Sequence, residues 1–363
     1  MFSFSYLYQV MGDNSYADSC ERTAFNALPV SFTPDHWARQ YLATSNAPFA
    51  RHLDTQSPFW NVGQDGIIMD LGKISGSIGP KSKVNQNLEP NYPCCTVNMP
   101  QGLPKYLSAS YVRVGQSGLG HALLGPATAN TTLGDGTQVT VTCNTNYPFD
   151  STLSYEITTT KAFDFSVRVP AWAVSSTISV NDHKEAKPAS ADGHTGMATV
   201  NIPAGQNSIQ YTLGASIQTT ARSNDTVAVY YGALLYALDV GQTVEVLPPD
   251  GPANPPPQVH AYNITATQPW NIAIDPSSLT FNRNANSTGT ESLANPIWAS
   301  GAPPTSITAR GCQVDWPLYH GIPAPVPPAP RNCTSTVMNV TMRPYGSLNV
   351  HMAELPTIDL TGK

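Results

Sequence analysis

Charge is scarce in this chain. Asp, Glu, Lys and Arg together make up 12% of its 363 residues, about half the usual share of a soluble domain. The net charge of -6 and a pI near 5.7 provide no basic footprint, so nucleic acid is not expected as a partner. Long apolar runs are missing as well. No stretch reaches the roughly 18 to 20 residues that span a bilayer, and no membrane partner is expected. Heptads and internal repeats are absent, which sets aside coiled coils and solenoids. Cys-x-x-Cys and a βαβ pattern are also lacking, which argues against thiol–disulfide redox chemistry. What the chain has instead is 33 Pro, with Gly, Ser, Thr and Asn plentiful. The resulting surface is neutral and rich in hydroxyls and amides, as in many extracellular and carbohydrate-handling proteins.

Cysteine is sparse too, at six, yet two of the six are neighbours. Cys94 and Cys95 sit in Asn91-Tyr92-Pro93-Cys94-Cys95-Thr96-Val97-Asn98. Their Cα atoms, about 3.8 Å apart across a trans peptide, are closer than the usual disulfide span. Two readings remain: a pair of small buried side chains, or two thiolates sharing a soft metal such as zinc. A metal-bound thiolate is deprotonated at neutral pH and can act as a nucleophile. The others are Cys20, Cys143, Cys312 and Cys333. The last two bracket a Pro-rich loop and can form one disulfide in an oxidising compartment. Sequons at Asn130, Asn224, Asn263, Asn286, Asn332 and Asn339 permit secretion, and an extracellular location is expected.

Hydropathy patterning changes along the chain. Met1–Met11 is apolar but lacks a basic flank and an Ala-x-Ala site. It reads as an amphipathic core helix without its beginning. Ser15-Tyr16-Ala17-Asp18 has the form of a capping box, and Tyr16, Cys20, Ala24 and Leu28 recur every four residues, predicting a helix that ends near Pro29. Leu103, Tyr106, Leu107 and Tyr111 have helical spacing, with Pro100 and Pro104 delaying or bending the start. From about residue 112 the period falls to two: Val139, Val141, Cys143; Leu153, Tyr155, Ile157; Phe163, Phe165, Val167 and Val169, with Asp164, Ser166 and Arg168 on the opposite face. Further short strands are predicted near 178, 200, 209 and 227, and the regular spacing indicates antiparallel β-sandwich structure. Residues 247–257 read as a stiff Pro-rich linker. Beyond it, Trp270-Ile272-Ile274 and segments near 337–352 predict a second small β domain. The expected domains are 1–111, 112–246 and 247–363.

Five fragments in order resemble glycoside hydrolase family 127, the β-L-arabinofuranosidase-like proteins. They are Gly12-Asp13-Asn14-Ser15-Tyr16-Ala17-Asp18 with Glu21 and Phe25-Asn26; Cys94-Cys95-Thr96-Val97-Asn98; Val167-Arg168-Val169-Pro170-Ala171-Trp172; Tyr231-Gly232-Ala233-Leu234-Leu235-Tyr236; and Arg343-Pro344-Tyr345-Gly346-Ser347. The resemblance implies a mostly β chain with an α-helical N-terminal part, the remnant of an (α/α)6 barrel over 1–111 followed by two β-sandwich domains. Most of that barrel, with the acid/base glutamate and the remaining zinc ligands, is expected upstream of the part matching Met1. It further implies retaining hydrolysis of a carbohydrate substrate, with Cys94 as nucleophile and zinc ligand, and Cys95 as a second ligand. Glu21 matches a family glutamate on a helix entering the barrel and is a candidate catalytic residue beside Cys94, its plain alternative being a solvated helical charge. Tyr41, His36 and Trp60 are candidate sugar contacts, with packing as the plain alternative for each. The competing function is a non-catalytic carbohydrate-binding or structural module. An apolar face of 1–111 is expected either to be exposed or to pack on a sandwich.

Overall fold

Alternating side chains dominate the architecture. In a computed structural model, the described residues are 1–40, 44–51, 98–181, 186–247, 258, 260–284 and 293–362. They are mostly β with few helices and divide into two units. One comprises Met1–Phe25 with Gln101–Ser216; the other contains the described parts of Asn26–Pro100, Ile217–Ser287 and Leu293–Lys363.

In the first unit the strands Lys187–Pro188, Ser175–Val180, Gly205–Gly214, Thr152–Thr159, Gln138–Asn144 and Ala127–Thr132 pair in that order. A second sheet runs Met197–Ile202, Phe163–Arg168, Gly118–His121, Tyr111–Val114. Period two explains the layering. Val139, Val141, Cys143, Leu153, Tyr155, Ile157, Ile209, Tyr211 and Leu213 are buried from one sheet, and Phe163, Phe165 and Val167 from the other. The inner faces meet ring to ring, with Tyr155 edge-on to Phe165 at 5.3 Å. The sandwich expected from the alternation is thus present.

Helix Phe2–Met11 stops where Gly12 takes a left-handed φ of 70° and gives its N–H to the Tyr8 carbonyl, a conformation glycine adopts cheaply. Asp13 then caps the helix Asn14–Arg22, its side chain accepting from Ser15 N–H at 2.8 Å. The cap is therefore Asp13 rather than Ser15, because the reset at Gly12 places the Asp carboxylate two residues before the first free amides. The predicted single helix to Pro29 is broken into Asn14–Arg22, a π-helical turn Thr23–Ala27 and the short Leu28–Val30. The first helix does not bury its apolar side. Tyr8 and Ser5 point inward, while Phe2, Tyr6 and Val10 are 58, 61 and 62% exposed. Together with the neighbouring helix Gly102–Ser108, these are the described helices of 1–111.

In the second unit, Leu234–Leu238 pairs with Met338–Pro344 and Met352, and Met338–Pro344 pairs with Thr305–Gln313. Strands 217–238, grouped by sequence with 112–246, thus pair with the C-terminal segments. Asn26 is buried and joins this sheet through its side chain: Nδ2 donates to Ala233 O at 2.9 Å, and Leu235 N–H donates to Oδ1 at 2.8 Å. Val30, Ala237, Tyr345, Leu348 and Ala353 form one buried cluster. Gly346 has no room for a side chain there, since a Cβ would fall 2.6 Å from Pro29 Cγ. Cys312 and Cys333 are disulfide-bonded, 21 residues apart. No helix among the described residues is long and apolar enough to cross a membrane.

His121 is wholly buried in the first unit, stacked on Tyr111 at 4.4 Å, with Nδ1 3.0 Å from Tyr155 Oη and no partner for Nε2. Burial, reinforced by the Arg168 charge, pushes its pKa down to about 3. Above the unfolded-state pKa, about 6.5, both states are neutral there and the folded state keeps its full stability. As pH falls towards 3 the unfolded chain alone takes up the proton, so stability drains away. Between pH 7 and pH 5, His121 contributes a loss of about 2 kcal/mol. Urea unfolding at the two pH values, compared with His121→Asn, checks this: the variant loses that part of the difference.

Candidate functional site

Arg168 sits at the end of the strand Phe163–Arg168 with its side chain fully buried. Strand periodicity puts it on the face opposite Phe165, and that face is covered by the helix Asn14–Arg22. Asn14, Asp18 and Glu21 lie at i, i+4 and i+7 on one helix face, and all three reach the guanidinium. Nη1 is 2.5 Å from Asp18 Oδ1 and 3.1 Å from Asn14 Oδ1, Nη2 is 2.5 Å from Glu21 Oε1, and Nε donates to the Ala122 carbonyl at 2.6 Å. The carboxylates have further partners. Glu21 Oε1 accepts from Leu124 N–H at 2.8 Å and Oε2 from Tyr147 O–H at 2.7 Å; Asp18 Oδ2 accepts from Ala171 N–H at 3.1 Å. Asn14 Nδ2 donates to Val169 O at 3.0 Å, and Tyr211 O–H to Arg168 O at 2.9 Å.

The electrostatics follow from burial. Desolvation by itself lowers the basicity of Arg168, but Glu21 and then Asp18 more than reverse it, and the guanidinium is held well above its ordinary range. Tyr147 is raised by desolvation and then by the Glu21 charge, so its phenol stays a donor. Glu21 has zero exposure and both oxygens engaged. The plain alternative, a solvated helical charge, is overturned: the carboxylate is out of water and faces Arg168. This arrangement fixes the helix on the sheet and on the main chain at 122–124 and 169–171.

The other sequence candidates lie elsewhere. His36 is exposed in the second unit, at φ 62°, stacked on Phe32 at 5.1 Å. It occupies a turn in which Asp35 Oδ1 accepts from Thr33 Oγ1 at 2.5 Å and Trp37 N–H at 3.1 Å. Cys94, Cys95, Tyr41 and Trp60 fall outside the described residues. Among the described residues, no group of three or more His, Cys, Asp or Glu is placed to hold a metal. From the sequence, Asp18 reads only as part of a capping box and Arg168 only as an outer-face strand residue, and Asn14 has no role of its own. The available signal was the polar i, i+4, i+7 stripe on a helix whose neighbouring face is apolar.

Residues 120–201, which include Arg168 and most of the sandwich, match the family model described as β-L-arabinofuranosidase, GH127 middle domain. Over this segment the chain is similar to the GH127 family. Its fold is similar to that of a solved glycoside hydrolase, with TM-score 0.61 and 16% identity over 97% of this chain and 50% of that one. A GH127 β-L-arabinofuranosidase from Geobacillus stearothermophilus T6 gives TM-score 0.58 and 16% identity, covering 99% of this chain and 49% of that one. A GH127 β-arabinofuranosidase gives TM-score 0.59 and 13% identity, at 99% and 48% coverage. The chain spans about half the length of the solved structures it matches. No curated protein matches it.

Removing one member of a buried ion pair strands the other and costs about 3–5 kcal/mol. Glu21→Ala and Arg168→Met are each expected to lose that much in urea unfolding. Asp18→Ala loses less, because Asp18 is 14% exposed and water takes over part of the pairing. The double variant Glu21→Ala/Arg168→Met loses less than the two single changes summed, a coupling that a double-mutant cycle reads directly.

Proposed function

We propose that the protein containing this chain is a retaining glycosidase acting on β-L-arabinofuranosides or related sugars, with Cys94 as nucleophile and Cys95 as its companion zinc ligand. The GH127 middle-domain match over 120–201 carries the reading. The cysteine inventory supports it. Cys312 and Cys333 are joined. Cys20 and Cys143 are buried, their thiols pushed up by desolvation to about 11 and about 12, so neither supplies thiolate near neutral pH. Of the six, Cys94 and Cys95 remain.

Two adjacent thiolates suit zinc as donors. Zinc, when bound, lowers the thiol pKa so that thiolate exists at working pH. Cys94 Sγ attacks the anomeric carbon; the sulfur–carbon bond forms as the glycosidic carbon–oxygen bond breaks, and the leaving oxygen takes a proton from a general acid. Water then displaces the sulfur, and two inversions give net retention. Glu21, buried with both oxygens bonded, acts in this reading as a positioning residue. Tyr41, His36 and Trp60 are kept as sugar contacts, the helices of 1–111 as part of an (α/α)6 barrel, and the location as extracellular.

A second reading rests on a specific observation, the span of about half the matched structures: a non-catalytic carbohydrate-binding module. Hydrolysis of p-nitrophenyl β-L-arabinofuranoside by the natural protein separates the two. Turnover that falls at least about 10³-fold in Cys94→Ser, with near-stoichiometric zinc in the wild type, supports the enzyme. Equal turnover in the two proteins removes the thiolate mechanism, and sugar binding without turnover favours the module.

A further inference from the structure

The six-stranded sheet of the first unit ends in Ala127–Thr132, which among the described residues pairs on one side only, with Gln138–Asn144. A free edge is a template for another strand, and proteins blunt it with lysine or other charges, proline, bulges or a covering segment. Ala-Thr-Ala-Asn-Thr-Thr carries no charge and no proline, and its register with 138–143 runs unbroken. Side chains reach its ends alone: Tyr111 O–H donates to Ala127 O at 3.4 Å and Arg113 Nη2 to Thr132 O at 3.1 Å. Thr128, Asn130 and Thr132 are exposed.

The exposed residue in the middle of this edge, between the two ends that Tyr111 and Arg113 cover, is the acceptor of a sequon, Asn130-Thr131-Thr132. The Cys312–Cys333 disulfide belongs to an oxidising compartment, where such sequons are modified. We propose that Asn130 carries an N-linked glycan and that this glycan guards the free edge. In the transfer, Nδ2 of Asn130 bonds to the anomeric carbon of a lipid-linked oligosaccharide diphosphate. The bond from that carbon to the diphosphate oxygen breaks, the diphosphate departs, and the amide gives up one proton. Asn263 is the internal contrast: its Nδ2 already donates to Glu245 Oε2 at 3.1 Å and its Oδ1 is buried, so a glycan there would break that bond. The inference rests on the extracellular reading above.

The test uses the full chain secreted from a eukaryotic host behind a host leader. Glycosidase F digestion in heavy-oxygen water, followed by peptide mapping, is expected to label Asn130 and leave Asn263 unlabelled. Light scattering at fixed concentration is expected to show Asn130→Gln aggregating several-fold faster than wild type, and Asn130→Lys restoring the wild-type rate by guarding the edge with charge. Enzymatic deglycosylation of folded wild-type protein gives the same readout without a variant. An unlabelled Asn130 overturns the proposal, and so does deglycosylated protein that aggregates at the wild-type rate. Thiol titration of protein from its natural source separates the two readings: free thiols at Cys312 and Cys333 defeat the extracellular placement, whereas an intact disulfide with bare Asn130 defeats the glycan alone.

Discussion

One buried guanidinium holds the first unit together. Arg168 is out of water entirely, and an isolated charge there would cost many kcal/mol. It is tolerable because two carboxylates, an amide and a main-chain carbonyl surround it. The requirement runs in both directions. Glu21 and Asp18 are acceptable on the buried face of a helix because Arg168 meets them, and their further bonds to Ala171, Leu124 and Tyr147 tie the helix to the unit. In a chain with so few charges, three of them are committed to this joint.

The strands of the first unit were legible because a sandwich buries one side chain in two. Val139 to Cys143, Leu153 to Ile157 and Phe163 to Val167 show the pattern without interruption. The same rule put Ser166 and Arg168 on the outward face correctly but implied water there. Alternation reports which side of a sheet a residue takes, not whether a further layer covers that side. The helix start was misplaced by two residues since Asp13 and Ser15 are both good caps, and the left-handed turn at Gly12 decides between them. The grouping of strands 217–238 followed sequence proximity, whereas their partners are the distant segments 338–344 and 351–356.

The GH127-like fragments gain a physical meaning from the structure, for most of them are contact partners. The fragment with Asn14, Asp18 and Glu21 meets the one with Val167–Trp172. Phe25-Asn26 leads into the side chain that pairs with Ala233–Leu235, and Arg343–Ser347 packs with Val30 and Pro29. The chemistry-bearing fragment around Cys94 is read from resemblance and from what the other cysteines are doing.

Asn26 behaves as a piece of main chain. Its carboxamide offers one donor and one acceptor at the spacing of a peptide group and occupies the place a neighbouring strand would take beside Ala233–Leu235. Deamidation would leave the shape of the side chain untouched while turning its donor into a second acceptor facing the Ala233 carbonyl. A single hydrolytic event that changes volume by almost nothing would thus set two acceptors face to face and undo the bond that seats this side chain against Ala233–Leu235.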